Sequence, residues 1–231
     1  MSCIFHSDNA CIRRVPIFEN LTDNDFMLLS KAVHSEKYSK GEYVFHIGEQ
    51  SDALYVIHKG VVKITKVAES GKEHILRFLF PGDFDGQFAL FNEEYHYADA
   101  EVMEDTVVCK IHRDDLRSVM IQNPEIAYRL VVVMSERLKE ADEWIGAISL
   151  LDVEKRLAKV LLIYSAKYEP NEPFDLPVPK KDFASLIGVV PETLSRKLSL
   201  FEDQGLIELK GRKSIRILNL PQLRQIAEPT A

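Results

Sequence analysis

The stretch Lys180 to Ile217 restricts the folds open to this chain more than any other part of it. It opens with a short helical pattern, Asp182-Phe-Ala-Ser-Leu-Ile, which Gly188-Val189-Val190 interrupts. A second helix is predicted from Pro191 and stops at Gly205. Proline fits the first turn of a helix, where its missing N–H has no bond to lose, and glycine fits the left-handed residue beyond the end. Leu194, Leu198 and Phe201 fall at i, i+4 and i+7 and make one apolar stripe. Glu192, Ser195, Arg196 and Ser199 fall at i, i+3, i+4 and i+7 on a different face. After Gly205, Leu206-Ile-Glu-Leu and Ser214-Ile-Arg-Ile-Leu alternate around Lys210-Gly211-Arg212-Lys213, which predicts a basic-tipped hairpin.

Two helices joined by a glycine-bearing turn form a helix-turn-helix unit, whose second helix lies in the DNA major groove. Arginine bonds N7 and O6 of guanine, and glutamate accepts from the cytosine amino group. Ser195 is small enough to let the helix approach the bases. Thr193, Lys180 and Lys181, with Lys210, Arg212 and Lys213 at the hairpin tip, complete the candidate DNA-binding set. The plainer alternative is two core helices and a surface hairpin.

A chain of 231 residues is long for one domain and comfortable for two. Its 46% hydrophobic and 28% charged residues are those of a globular protein. No apolar run reaches membrane-spanning length, and Met1-Ser-Cys-Ile-Phe-His lacks the basic and apolar regions of a signal peptide, so a cytoplasmic location is expected. The net charge of −7 is unevenly spread. From Asp152 onward thirteen Lys/Arg face eleven Asp/Glu, which leaves sixteen basic against twenty-five acidic residues upstream. An acidic front and a mildly basic end suit a chain of which only the end meets phosphates.

In chain order, Thr22-Asp-Asn-Asp predicts a helix start, with Phe26, Leu29 and Val33 on one buried face. From Glu36 to His112 short alternating runs are punctuated by Gly41, Gly48, Gly60, Gly71, Gly82 and Gly86, the signature of an antiparallel sandwich or barrel. Asp114 begins a helical region that, after Pro124, runs to about Leu151. Val131, Met134, Leu138, Ala141, Ile145 and Ile148 recur there at alternating steps of three and four, a heptad seam that predicts pairing with the same helix of a second copy. A helix packed on its own barrel is the other reading. Asp152 to Tyr164 starts a second domain with an amphipathic helix, and Tyr168-Glu-Pro-Asn-Glu-Pro connects it to the helix-turn-helix. The expected fold class is therefore α+β. An antiparallel β-roll domain spans 1–123, a dimerisation helix 124–151, and a winged helix-turn-helix domain 152–231.

This order of parts resembles the CRP/FNR family of bacterial transcription regulators. Gly48-Glu49 before Leu54-Tyr-Val-Ile, Lys59-Gly60, Pro81-Gly82-Asp83-Phe84, Leu151-Asp152-Val with Arg156-Leu, and Glu192-Thr-Leu-Ser195-Arg196 carry the likeness over nearly the whole chain. The front domain would then be a jelly roll like the cyclic-nucleotide-binding one. The E-x-x-S-R spacing is similar to the FNR branch. It implies homodimeric binding of palindromes with TTGA-like half-sites, Arg196 on the guanine, Glu192 on the opposite cytosine, Ser195 near thymine, and RNA polymerase as a partner. Lys197 departs from the pattern, which often has an apolar residue there. The family's cyclic-nucleotide pocket has a glutamate after a glycine and then an Arg-Ser pair. Here Gln87 follows Gly86 and the pair reads Tyr97-Ala98, so cAMP is not expected.

The three cysteines bear on the signal. FNR proteins hold an iron–sulfur cluster on four cysteines. Cys11 and Cys109 match two ligands, Cys3 is too distant to supply the close spacing, and Pro16 takes another ligand's place. The pattern is closer to the FNR-like proteins of low-GC Gram-positive bacteria, and that resemblance implies a reversible Cys11–Cys109 disulfide and no resident cofactor. Three alternatives stay open: inert burial of Cys109, a cluster completed by His6 or Asp8, and haem or another small ligand. A β-roll metal enzyme would need clustered histidines, but no His-x-His, nucleophile–base pair or phosphate-cradling glycine loop exists, so neither an enzyme nor a metal site is expected.

Overall fold

The computed structural model describes residues 15–18, 29, 31–69, 71, 73–166, 172–176, 178–211 and 214–228. Cys3, Cys11, Phe26, Arg212 and Lys213 lie outside the described residues. The chain divides into two compact units between Leu138 and Lys139, inside a long helix.

The first unit is an antiparallel β-roll. One sheet runs in the order β1 (Val33–Tyr38), β10 (Thr106–His112), β4 (Ala53–Lys59), β7 (Phe84–Asp85). The other runs β2 (Tyr43–Phe45), β9 (Asp99–Val102), β5 (Val62–Val67), β6 (Glu73–Leu79), and β3 (Gln50–Ser51) pairs with β8 (Glu94–Tyr95). The continuous apolar run Leu54-Tyr-Val-Ile suits β4 to its place as an interior strand of its sheet. Its side chains alternate between two cores, so both faces are buried. Tyr55 and Ile57 point to a core shared with Ile64, Ala100 and Val102 of the second sheet. Leu54 and Val56 point to a core shared with Phe84, Cys109 and Ile111, and with Val15, Ile17 and Phe18 ahead of the roll. Val33, expected on a helix face, is instead the first residue of β1 and pairs with Ile111. It is buried all the same, because a β-branched residue serves a strand's inner face as well as a helix's.

Two helices leave the roll. α1 (Arg113–Gln122) packs Leu116 and Val119 on the outer core. Asn123 is extended, as the residue before a proline must be, and α2 (Pro124–Leu150) begins there. Its first turns bury Ile126, Leu130 and Val133 in the same core, with Met134 partly buried against it. One turn on, the Arg137 guanidinium lies 3.5 Å from the centroid of the Phe84 ring. The other face is bare: Val131, Leu138 and Ile145 are 61%, 64% and 62% exposed, and Ala141 and Ile148 are exposed as well. Among the described residues no helix is long and apolar enough to cross a membrane.

The second unit is built on α3 (Val153–Ser165). Its N-terminus is capped by Asp152, whose carboxylate accepts the Lys155 N–H at 3.0 Å. α4 (Lys180–Leu186), α5 (Pro191–Asp203) and α6 (Leu220–Ala227) surround it. Strands β12 (Ile207–Lys210) and β13 (Ser214–Ile217) form the expected hairpin. A strand not foreseen, β11 (Phe174–Asp175), adds to the free edge of β13.

Candidate nucleic-acid interface

The turn between α4 and α5 is set by backbone chemistry. Gly188 adopts φ 73°, a left-handed conformation that costs a glycine nothing. Its N–H donates to the Ser185 carbonyl at 3.1 Å, and the Val189 N–H to the Ala184 carbonyl at 3.0 Å. These are the paired bonds of a Schellman ending, which satisfy carbonyls that a helix terminus leaves open. Pro191 then starts α5 two residues later. The far end repeats the device, with Gly205 at φ 69°, Gly205 N–H on the Glu202 carbonyl at 2.9 Å and Leu206 N–H on Phe201 at 2.9 Å.

Between those ends the two stripes of α5 separate. Leu194, Leu198 and Phe201 are fully buried. Glu192, Ser195, Arg196 and Ser199 are exposed on the outer face, and Thr193 is half-buried. The Arg196 guanidinium lies back along its own helix, with Nε donating to the Glu192 carbonyl at 3.4 Å. Lys181 is exposed at the start of α4, while Lys180 is half-buried and lines a shallow depression with Leu198, Leu209 and Ile215. In the hairpin Lys210 is exposed with its ammonium 3.6 Å from Glu208, which also accepts from Arg216 at 3.4 Å. The structure thus gathers Glu192, Ser195, Arg196 and Ser199 on one exposed surface. Two groups around it escaped sequence reasoning. Glu202 accepts the Leu209 N–H at 2.8 Å, and Lys197 reaches Glu154 at 2.6 Å. Only the departure of Lys197 from the apolar pattern signalled the second.

The β-roll holds a separate polar cluster. Arg77 Nη2 donates to Asp85 Oδ2 at 2.5 Å and to the Tyr97 hydroxyl at 3.1 Å. Asp85 is 1% exposed, and its other oxygen accepts the Gly86 N–H at 2.6 Å. Burial raises the Tyr97 phenol above its ordinary value, with the Asp85 charge adding to it. Ala98, beside Tyr97, belongs to the inner apolar core. Cys109 is buried in the outer core, its sulfur 3.6 Å from the Ser35 hydroxyl across the β1–β10 pairing. Among the described residues no three His, Cys, Asp or Glu side chains gather as metal ligands.

Two family models match the chain. The cyclic nucleotide-binding domain matches residues 35–123, and the Crp-like helix-turn-helix domain matches residues 155–226. A CRP-like cAMP-activated global transcriptional regulator of Mycobacterium tuberculosis is 30% identical over 220 residues, 94% of this chain and 98% of that protein. The fumarate and nitrate reduction regulatory protein of Vibrio cholerae is 29% identical over 231 residues, 97% of this chain and 91% of that protein. Among solved structures, FixK2 from Bradyrhizobium japonicum superposes with a TM-score of 0.78 at 24% identity, covering 86% of this chain and 99% of that one, which is a likeness of fold.

Proposed function

The chain belongs to the CRP/FNR family of transcription regulators, and from that premise we propose that it binds a TTGA-like palindrome as a homodimer under thiol-based redox control. Regulators of this kind bind DNA and are not enzymes. The observation that carries the reading is the exposed quartet on α5, backed by a stripe that fixes the helix in its domain. Arg196 has the fork that fits guanine, Glu192 the acceptor that fits cytosine, and Ser195 the small hydroxyl that permits close approach beside thymine. Thr193, Ser199, Lys180, Lys181 and the hairpin lysines and arginine serve the phosphates, which set register without reading sequence. A palindrome needs two such helices about one DNA turn apart, and the bare seam of α2 is the surface on which a second copy pairs. RNA polymerase is the partner through which such a DNA-bound dimer acts.

The proposed control does not involve a cyclic nucleotide. The Arg77 guanidinium is already paired with a buried carboxylate. A cyclic phosphate placed there meets the Asp85 carboxylate, whose negative charge opposes it. The redox reading is supported by the outer core, where Cys109 shares one cluster with Val15, Ile17 and Phe18. Cys11 precedes Val15 by four residues, and a chain of that length spans at most roughly 14 Å.

The experiment is a titration of wild type and Cys11→Ser on a TTGA palindrome and a scrambled duplex, under reducing and oxidising conditions. The palindrome is expected to bind roughly a thousand-fold tighter than the scrambled duplex. Oxidation is expected to change the affinity of wild type alone. Equal binding to both duplexes overturns base reading. An identical response of Cys11→Ser removes the switch and leaves the reader.

A further inference from the structure

α3 grips the helix-turn-helix at two points near its two ends. Near its end, the Tyr164 ring meets the Phe183 ring of α4 with centroids 5.8 Å apart, both side chains buried. Near its start, Glu154 Oε1 lies 2.6 Å from Lys197 Nζ of α5, the side chains 38% and 32% exposed. Ten residues separate Glu154 from Tyr164, about 15 Å along a helix. The first grip is an apolar pivot. The second is an ion pair that holds one rotation of α5 about it.

The start of α3 is also where it joins α2. Arg156 Nη1 donates to the Leu151 carbonyl at 2.9 Å and to Ile148 at 3.3 Å, closing the open carbonyls at the end of α2. Lys159 pairs with Glu143 one turn further on, at 3.3 Å. Glu154 and Arg156 therefore share the first turn of α3, one reaching α5 and the other α2.

We propose that Glu154 and Lys197 form a positioning clamp, which sets the orientation of the base-reading helix relative to the α2–α3 joint. Lys197 is then not a phosphate contact, although it adjoins Arg196. Its ammonium is held by a carboxylate of its own chain. This rests on the reading that α5 enters the groove. A half-exposed ion pair adds little to folding stability, so stability is the wrong place to look for its effect. Bidentate base contacts tolerate little misorientation, so specific affinity is the sensitive quantity.

The test compares full-length wild type, Glu154→Gln, Lys197→Met, the double variant and Lys197→Arg on the palindrome and the scrambled duplex across a salt series, with thermal melting alongside. Each single loss is expected to weaken palindrome binding about five-fold per half-site, the size of a partly exposed ion pair. The double variant is expected to lose no more than either single one, which is the mark of one shared interaction. Scrambled-duplex affinity, salt slope and melting temperature stay at wild-type values, and Lys197→Arg restores the loss. Tighter binding and a steeper salt slope in Glu154→Gln overturn the clamp and make Lys197 a restrained phosphate contact. Additive losses, melting that falls in step with affinity, or wild-type affinity in both single variants overturn it as well. If wild type itself does not prefer the palindrome, the reading beneath the clamp has failed, and the clamp with it.

Discussion

The backbone N–H of Leu209 donates to the Glu202 carboxylate at 2.8 Å, so the first strand of the wing hangs from the last turn of the recognition helix. A charged acceptor makes this stronger than a neutral hydrogen bond, and its loss leaves a strand N–H to be satisfied by water. Glu202→Ala is expected to lower unfolding free energy by about 1 kcal/mol in urea titration. It is also expected to weaken binding to all duplexes alike, on the proposed reading that the wing tip serves phosphates. An effect confined to the palindrome contradicts that division of labour.

The seam on α2 has a direct consequence for assembly. Val131, Leu138 and Ile145 recur every seven residues and face outward, while Ile126, Leu130 and Val133 hold the same helix to the roll. Burying one such aliphatic side chain against a partner is worth roughly 1.5–3 kcal/mol, so a charge at the seam is decisive. Leu138→Glu is expected to sediment as a monomer, to keep the melting behaviour of its β-roll, and to lose palindrome affinity. A Leu138→Glu protein that still sediments as a dimer places the subunit contact elsewhere.

His96 stacks on Phe45 with ring centroids 3.7 Å apart, and its Nε2 is buried without a hydrogen-bond partner. Burial holds the imidazole below its ordinary value of 6.5, outweighing the pull of Asp85, Glu49 and Asp52 towards the charged form. The unfolded chain therefore takes up the proton first. Stability is unaffected by this group above pH 6.5 and falls as pH drops below it, until the folded-state imidazole also charges. His96→Phe keeps the stack and removes the titration. The difference in urea midpoint between wild type and this variant is expected to shift against wild type on acidification below pH 6.5. A difference that does not vary with pH leaves the imidazole out of the acid response.

Local rules made much of this legible in advance. The spacing of Leu194, Leu198 and Phe201 named the buried face of α5, and Gly188 and Gly205 marked both helix ends, because each needs only neighbours a few residues away. The strands around Leu54, Val61, His74 and Thr106 were visible for the same reason, as alternating or continuous apolar runs. What escaped depends on partners distant in the chain. The two-residue strands β3, β7, β8 and β11 carry no periodicity, and exist only where another strand offers an edge. Lys63 reads as an ordinary surface lysine on β5. It is buried because Glu73 and Glu101 on the strands either side lie 2.8 and 2.7 Å from its ammonium. Arg77 with Asp85 and Glu154 with Lys197 likewise pair across elements that no spacing rule connects.

Arg196 sits with its Nε on the Glu192 carbonyl at 3.4 Å, a long and weak bond, so its guanidinium can swing outward at small cost. Once in the groove, a planar fork reaches N7 and O6 of one guanine together, whereas an ammonium offers a point charge without that geometry. Arg196→Lys keeps the charge and removes the fork. It is expected to cost about 1–3 kcal/mol on the palindrome, to lose discrimination at the guanine position alone, and to leave the salt slope unchanged. Glu192→Gln is expected to relax the opposite cytosine, since a carboxylate accepts only while an amide can also donate. Binding titrations against palindromes changed one base pair at a time separate these effects by position. If Arg196→Lys lowers affinity equally for every duplex, Arg196 touches phosphate and the guanine must be read by another side chain on the same face.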